Sequence, residues 1–219
     1  MALTPPQAAR VYDRIGRVQD WQAFYEDRAV ADLLAHADLA HADSVLEFGC
    51  GTGRLGARML ETLPPTASYL GVDVSARMVA LTTARLRRWQ SRARVQHVDG
   101  SLPLPVADAA ADRVVSTYVF DLLEETYARA ALDDLRRALA PGGLLCLASL
   151  TFGESPVERG LSAAWSALWR RAPRLLGGCR PIRLDALLDP ADWHVRHRHL
   201  AHAFGLVSEV VTATPATGR

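Results

Sequence analysis

The sequence predicts an α/β protein with a doubly wound, mostly parallel sheet of seven strands that ends in a C-terminal antiparallel hairpin. Three observations support this fold class. Short apolar runs alternate with helical segments between residues 44 and 152, which is typical of parallel strands joined by helices. A glycine-rich loop, EFGCGTGRLG, follows the first apolar run. Two β-type segments near the C-terminus are only a few residues apart, too close to be parallel neighbours.

The elements are predicted in order along the chain. Two helical segments, at about 5–16 and 22–39, precede the first strand. The predicted strands are 44–48, 68–73, 94–99, 112–119, 143–152, 192–199 and 206–213. The predicted helices between them are 53–63, a segment from a Ser75 cap to about 90, and 121–139. Pro141-Gly142-Gly143 is expected to stop the last of these helices and form a tight turn.

The composition excludes several classes of protein. The chain has 219 residues, 49% of them hydrophobic, and a net charge of +1, which gives no general attraction to nucleic acid or anionic membranes. Three widely spaced cysteines predict neither a disulfide framework nor a structural zinc site. The N-terminus lacks the pattern of a signal peptide, and no segment has the apolar length of a membrane span. A soluble, cytoplasmic protein is therefore expected.

The glycine loop is compatible with two classes of cofactor. Gly51, Gly53 and Gly56 match the G-x-G-x-x-G pattern of dinucleotide-binding proteins. However, Glu47 lies at the tip of the preceding strand, where a carboxylate would oppose a pyrophosphate. That carboxylate suits S-adenosylmethionine, which carries an ammonium and a sulfonium and no phosphate. A chain of 219 residues also leaves little room for the substrate domain of a dehydrogenase.

The segment VLEFGCGTGRLG resembles the first motif of class I S-adenosylmethionine-dependent methyltransferases, in the small-molecule branch that includes ubiquinone-biosynthesis enzymes (methyltransferase type 11). GVDVS, VDGS, DRVVSTYVFDLLE and LAPGGLL are similar to the next four motifs, in order. The resemblance covers about 42–152 well, and the C-terminal hairpin resembles the family's closing hairpin. It implies a Rossmann-like fold and in-line methyl transfer without a metal. S-adenosylmethionine would be the donor and S-adenosylhomocysteine the product.

With no internal repeat or low-complexity linker, we expect one methyltransferase domain over 1–219. Within it, 1–41 is an N-terminal helical lid and 42–152 the cofactor-binding core. Residues 153–191 form a variable cap segment, and 192–219 form the closing hairpin and tail. The expected partner is a small-molecule methyl acceptor, partly apolar, and no nucleic acid.

The resemblance assigns the cofactor to the glycine loop and the strand ends. Asp73 would hold the ribose hydroxyls, and Asp99 would meet the adenine amino group, although both could be simple turn residues. Gly51 is expected to serve ligand approach rather than a positive φ angle. Met78 could pack on the adenine or in the core of its helix, and Cys50, placed where a thiolate is favoured, is interpreted as filler. The predicted cofactor-binding residues are Tyr12, Tyr25, Glu47, Phe48, Gly49, Cys50, Gly51, Thr52, Gly53, Asp73, Val74, Met78, Asp99, Gly100, Ser101, Thr117 and Tyr118.

No obligatory base is expected, because positioning supplies much of the acceleration of a methyl transfer. The two catalytic candidates are Asp121 and Tyr12. Asp121 stands where many ubiquinone-type relatives carry His, and it is alternatively the N-cap of the following helix. In the N-terminal aromatic segment, Tyr12 and Tyr25 could bind the cofactor's carboxylate or sulfonium. Core packing explains Trp21 and Phe24 equally well.

Two segments leave alternatives open. Residues 161–174 carry Trp165 and Trp169 at helical spacing, followed by arginines, and predict a substrate cap, a lipid-contacting surface helix or a helix packed on the core. The alternative functions are therefore a lipid or quinone methyltransferase docking on a membrane surface and a non-catalytic S-adenosylmethionine-binding protein. No metal site is expected, because no cysteine or acidic residue lies near the C-terminal histidines in sequence. These histidines are His194, His197, His199 and His202.

Overall fold

The computed structural model describes residues 3–15, 23–171 and 178–216. Its helices are α1 (Pro5–Ile15), α2 (Ala23–His36), α3 (Arg54–Thr62), α4 (Ala76–Arg85), α5 (Glu125–Ala138) and α6 (Pro156–Arg171). Its strands are β1 (Ser44–Phe48), β2 (Ser68–Asp73), β3 (Ala93–His97), β4 (Ala111–Thr117), β5 (Leu139–Thr151), β6 (Trp193–Ala203) and β7 (Leu206–Pro215). Short 3₁₀ turns at Leu39–His41 and Arg87–Trp89 follow α2 and α4.

The seven strands form one sheet in the order β3-β2-β1-β4-β5-β7-β6. Neighbours from β3 to β5 are parallel, whereas β7 runs antiparallel to both β5 and β6. The predicted doubly wound, Rossmann-like sheet with a closing hairpin is therefore confirmed. The chain builds outward from β1 to β3, then returns to β4 on the other side of β1. Ligands of such sheets bind where the direction of winding reverses, at the carboxyl ends of β1 and β4.

Successive side chains of a strand point to opposite faces of the sheet, so apolar residues form a core on each face. Leu46 and Phe48 of β1 pack with the α5 side, and Val45 packs with α2 and α3 on the opposite face. Glu47 shares the face of Val45 and is only 2% exposed. The fold thus places a carboxyl group inside the protein, directly before the glycine loop.

The hairpin turns at Phe204 and Gly205, whose φ angles are +52° and +80°. Two successive residues of positive φ form the turn that matches the twist of paired strands. Because β7 lies between β5 and β6, the hairpin extends the sheet with its second strand innermost. The strands are longer than expected, since β6 continues to Ala203.

The interpretation of Pro141-Gly142-Gly143 as a helix stop and tight turn is wrong. Helix α5 already ends at Ala138, and β5 starts at the next residue and includes the three residues. The pairing of β4 with β5 shifts register between Ala111 and Arg113, and Gly142 has a φ of +76°. The segment is therefore an irregularity inside a strand, which a sequence pattern of helix breakers does not distinguish from a turn.

Candidate active site

The glycine loop after β1 adopts a conformation that side chains rarely allow. Gly49, Gly51 and Gly53 have φ angles of +78°, +52° and +77°. A Cβ at Gly49 would lie 2.3 Å from Val119, and one at Gly53 would lie 2.8 Å from Thr82. The loop therefore needs glycine for its backbone angles and, at Gly49 and Gly53, for close packing. The expectation that Gly51 serves ligand approach rather than a positive φ angle is corrected by this geometry.

Asp73 fixes the loop from the end of β2. Its two carboxylate oxygens accept hydrogen bonds from the backbone N–H groups of Gly51 and Ser75, each at 2.9 Å. Burial raises the pKa of Asp73, and these two N–H donors oppose the increase. The side chain is 9% exposed and lines the adjacent cavity. It can therefore support the loop and face a ligand at the same time.

Helix α4 supports the glycine loop through Thr82, a residue that is not among those predicted from the sequence. The hydroxyl of Thr82 donates to the carbonyl of Gly51 at 2.6 Å. Thr82 lies four residues after Met78 on the same buried face, and this spacing is the signal that could have identified it. Met78 is fully buried in a cluster with Tyr12 and Leu122, so it has the core role and does not line the cavity. The predicted Ser75 cap of α4 is confirmed.

Two adjoining cavities open at the carboxyl ends of β1 and β4. The first is mainly apolar and is lined by Pro5, Ala8, Tyr12, Phe48, Gly49, Gly51, Val72, Asp73, Val74, Val98, Thr117, Tyr118, Val119, Leu122, Leu123 and Tyr127. The second is more polar and is lined by Glu26, Val30, Glu47, Gly49, Cys50, Gly51, Thr52, Arg54, Leu55, Arg58, Thr117 and Tyr118. They share Gly49, Gly51, Thr117 and Tyr118, and so form one elongated site.

Helix α1 covers the apolar cavity. The N–H of Leu3 donates to Leu122 at 2.8 Å, and a Cβ at Gly100 would lie 2.2 Å from Pro5. At the other end, Asp13 accepts a 2.5 Å hydrogen bond from the hydroxyl of Ser75. These attachments bring Tyr12 to the cavity wall.

Glu47, which lines the polar cavity, is hydrogen-bonded to the buried side chain of Tyr69. The hydroxyl of Tyr69 donates to Glu47 at 2.5 Å, and burial raises the pKa of Glu47 to about 8. A Cβ at Gly56 would lie 2.6 Å from the Tyr69 hydroxyl, so the third glycine of the apparent dinucleotide pattern makes room for this pair. Burial, followed by Glu47, raises the pKa of Cys50. A thiolate is thus disfavoured there, contrary to the sequence-based expectation, and Cys50 is a packing residue.

Several predicted cofactor residues do not line either cavity. Asp99 is exposed, and its carboxylate accepts hydrogen bonds from the backbone and hydroxyl of Ser101 at 2.8 and 2.5 Å, which lower its pKa. Val98 lines the cavity in its place. Sequence reasoning identified Phe48 and Val74 but missed the other apolar lining residues, because single apolar residues carry no distinctive signal. The predicted residues outside both linings are Tyr25, Gly53, Met78, Asp99, Gly100 and Ser101.

The end of β4 presents two unusual residues. Tyr118 has a φ of +55°, which is strained for a bulky side chain and is the kind of feature that concentrates at functional sites. Its hydroxyl lies 2.8 Å from that of Ser208. Asp121 is fully buried and accepts a 3.4 Å bond from the N–H of Leu150. Since α5 begins at Glu125, with Glu124 in the cap position, the N-cap interpretation of Asp121 is wrong.

Helix α6 is attached to the protein by its tryptophans. The indole N–H groups of Trp165 and Trp169 donate to the carbonyls of Cys179 and Gly178, at 2.9 and 2.8 Å. The amphipathic helix therefore directs both indoles inward, as the packed-helix alternative predicts. Among the helices of the described residues, none has both the length and the hydrophobicity needed to span a membrane. Trp21 and Arg174 lie outside the described residues.

The C-terminal histidines do acquire an acidic neighbour in space. His197 lies 2.9 Å from the carboxylate of Asp32 on α2, and its ring stacks on His36 with centroids 3.6 Å apart and 9° between the planes. These three residues are close enough to be considered as metal ligands. Stacked parallel rings point their nitrogens in parallel planes, however, so both could bind one ion only after a ring turned. The absence of a metal site stays a prediction.

In comparisons with known proteins, the chain is similar to methyltransferases. A family model described as a methyltransferase domain matches residues 45–143. The malonyl-[acyl-carrier protein] O-methyltransferase of Marinomonas sp. is 30% identical over 74% of this chain and 57% of its own length. The trans-aconitate 2-methyltransferase of Azoarcus sp. is 32% identical over 76% of this chain and 60% of its own length. The chain therefore spans somewhat more than half the length of these two relatives.

Solved structures show the same fold over nearly the whole chain. The [4+2]-cyclase SpnF superposes with a TM-score of 0.76 at 18% identity, covering 99% of this chain and 98% of its own. The N-methyltransferase NodS from Bradyrhizobium japonicum, in complex with S-adenosyl-L-homocysteine, has a TM-score of 0.72 at 18% identity. That match covers 96% of this chain and 99% of NodS. At these identities the likeness concerns the fold.

Proposed function

We propose that this chain is a class I S-adenosylmethionine-dependent methyltransferase, which transfers the methyl group of S-adenosylmethionine to a small-molecule acceptor. One observation carries the proposal: the glycine loop, Asp73 and Tyr12 converge on one elongated site at the carboxyl ends of β1 and β4. Such an arrangement needs the whole fold, and a chance glycine-rich turn would not produce it.

The chemistry of the lining fits the donor. The apolar cavity suits an adenosine, and we expect the carboxylate of Asp73, which lines this cavity, to accept hydrogen bonds from the ribose hydroxyls. The polar cavity contains Arg54 and Arg58, which suit a carboxylate, and Glu47, whose carboxyl group can accept a hydrogen bond from an ammonium. An amino acid joined to a nucleoside matches this division into a polar and an apolar part.

The residues of this chain would bind and orient the donor and exclude water. When bound, S-adenosylmethionine supplies an electrophilic methyl group, so the protein needs only to align an acceptor with it. Helix α1 and Tyr12 cover the apolar cavity, and the strained backbone of Tyr118 directs its ring between the two cavities. Metal ions have no assigned part in this proposal.

Two alternative functions, docking on a membrane surface and binding of S-adenosylmethionine without catalysis, are considered next. Docking on lipid or quinone membranes relied on Trp165 and Trp169, and both indoles bond inward. The second alternative is a non-catalytic protein that binds S-adenosylmethionine, and a structure without ligand does not distinguish it from an enzyme. The test must therefore measure turnover as well as binding.

The first measurement is calorimetry with S-adenosylmethionine, S-adenosylhomocysteine and NADH. We expect binding of the first two and none of NADH. Transfer of a labelled methyl group to a panel of small molecules then separates an enzyme from a binding protein. Tight NADH binding without any response to S-adenosylhomocysteine would overturn the proposal. Donor binding without transfer to any acceptor would favour the non-catalytic alternative.

A further inference from the structure

Helix α2 packs against β6, which is an edge strand of the sheet, and a group of three polar side chains lies at this contact. Asp32 and His36 are one turn apart on α2, and His197 belongs to β6. We call these three residues the Asp–His cluster. None of them lines either cavity, so the donor site does not explain why they meet.

A β-bulge turns His197 toward α2. The pairing of β6 with β7 shifts register between Val195 and His197, which leaves Arg196 as an extra residue. Trp193, before the bulge, packs in the core on the α5 side, whereas Ala201, after the bulge, packs in the core on the α2 side. In a regular strand, residues an even number apart share one face. The bulge therefore moves every later side chain to the opposite face, and His197 faces α2 because of it.

The spacing of the polar atoms in the cluster suits a bound ion. The Oδ2 atom of Asp32 lies 2.9 Å from Nε2 of His197, and its Oδ1 atom lies 3.5 Å from Nδ1 of His36. Donor atoms around a tetrahedral zinc ion are about 3.4 Å apart, given bonds of about 2.1 Å. One ligand atom of each residue lies within 4.8 Å of those of the other two. The carboxylate thus already contacts both imidazoles near the required spacing.

We propose that the Asp–His cluster binds a divalent transition-metal ion such as Zn²⁺ and thereby joins α2 to the β6–β7 hairpin. Imidazole nitrogen suits such ions, whereas Mg²⁺ and Ca²⁺ prefer oxygen ligands. Three protein ligands leave a fourth position for water. The cluster lies outside both cavities, so the ion takes no part in methyl transfer.

This inference departs from the sequence-based prediction that the C-terminal histidines bind no metal. That prediction considered neighbours in sequence, and Asp32 is 165 residues from His197. The stacked rings must separate before both bind one ion, and His36 is the ring that can turn. It lies in the last turn of α2, its side chain is 43% exposed, and its Nδ1 contacts only its own helix. The backbones of α2 and β6 can stay in place.

Calorimetry on the tag-free protein, stripped with a chelator and dialysed, tests the site with Zn²⁺ and Mg²⁺. We expect one Zn²⁺ to bind per chain and no Mg²⁺. His197→Asn, Asp32→Asn and His36→Asn should each weaken Zn²⁺ binding at least tenfold, because each removes a ligand. His36→Asn is the variant least able to disturb folding, since that side chain is the most exposed of the three.

His41→Asn is the matched control. His41 also contacts an aspartate, Asp38, at 2.6 Å, but in the described part of the chain no second histidine joins that pair within ligand distance. This variant should bind Zn²⁺ as tightly as the wild-type protein. Equal weakening in His41→Asn and His36→Asn would place the bound ion elsewhere and overturn the inference.

Thermal unfolding gives an independent readout, because an ion that binds only the folded protein stabilises it. Saturating Zn²⁺ should raise the unfolding midpoint of wild type and His41→Asn, EDTA should reverse the rise, and His36→Asn should show none. The inference is also overturned if wild type binds no Zn²⁺, if Mg²⁺ binds equally well, or if His36→Asn keeps full affinity. The cluster would then only hydrogen-bond the helix to the hairpin.

Discussion

Asp73 connects the glycine loop to the fold before any ligand binds. Its carboxylate holds the backbone N–H groups of Gly51 and Ser75 and also faces the apolar cavity. Its burial and its two hydrogen bonds give it a structural role as well, because unpaired buried N–H groups are destabilising.

Asp73→Ala should therefore weaken both binding and folding. We expect the affinity for S-adenosylhomocysteine to fall by about 2–3 kcal/mol, the scale of lost charge-assisted hydrogen bonds. The free energy of unfolding of the ligand-free protein should fall by about 1–3 kcal/mol, because two N–H groups lose their acceptor. Calorimetry and urea unfolding measure the two effects.

The matched control for this change is Asp99→Ala at the end of the neighbouring strand. Asp99 is exposed and lies outside both cavity linings, so its loss should change affinity much less. Equal losses of affinity in the two variants would contradict the placement of Asp99 and restore the sequence-based adenine contact.

Gly51→Ala separates backbone strain from ligand contact. Because Gly51 has a φ of +52°, alanine should destabilise the ligand-free protein by about 1–2 kcal/mol. Ligand binding should weaken further, since Gly51 lines both cavities. Thermal unfolding with and without S-adenosylhomocysteine measures both the loss of stability and the loss of ligand binding. If wild type and variant gain equal stability from the ligand, the loop does not contact it.

At the scale of elements, α1 is held over the cavity by contacts near its two ends. Pro5 packs on Gly100, and Asp13 bonds the hydroxyl of Ser75 and the N–H of Arg77, at 2.5 and 3.3 Å. The middle of the helix supplies Tyr12 to the site. The lid over residues 1–41 stays a prediction, and the contacts of Asp13 make the C-terminal end of α1 testable.

Asp13→Ala should loosen that end of α1 without affecting the main cores. We expect affinity for S-adenosylhomocysteine to fall about fivefold, the effect of losing about 1 kcal/mol of hydrogen bonding. The global unfolding transition should hardly move, because peripheral elements open separately from the core. Arg14→Ala, on an exposed position of the same helix, is the control. A large fall in the unfolding midpoint would show that α1 belongs to the cooperative core.

Local patterns explain which elements could be predicted from the sequence. Strands β1 and β2 match their expected limits, because buried parallel strands are short apolar runs bounded by polar residues. The Ser75 cap and the glycine loop are also local signals. The approach of Asp32 to His197, 165 residues apart, arises only when α2 packs on the hairpin. The lining of the apolar cavity by Val98 likewise depends on packing that no local pattern encodes.

For the whole molecule, the buried acids determine how stability depends on pH. Burial raises the pKa of Glu47 to about 8, and those of Glu26 and Asp121 to about 7, without any ligand bound. Glu158 shows the opposite behaviour: hydrogen bonds led by the Ser155 N–H lower its pKa to about 2. Its contribution is present above its ordinary pKa and is lost as the pH falls toward 2. Stability should thus be greatest near pH 5 and fall on both sides.

The alkaline side of this profile gives a direct test of Glu47. Between its ordinary pKa and about 8, the folded protein keeps the Glu47 proton that the unfolded chain has released, so the free energy of unfolding falls as the pH rises. One such group contributes a slope of at most about 1.4 kcal/mol per pH unit. Glu47→Gln keeps an acceptor for the Tyr69 hydroxyl and removes the titration. Urea unfolding from pH 5 to 8 should therefore show a shallower decline than wild type, whereas the exposed control Glu61→Gln should follow wild type. Parallel declines in all three proteins would mean that Glu47 is already ionised in the folded state.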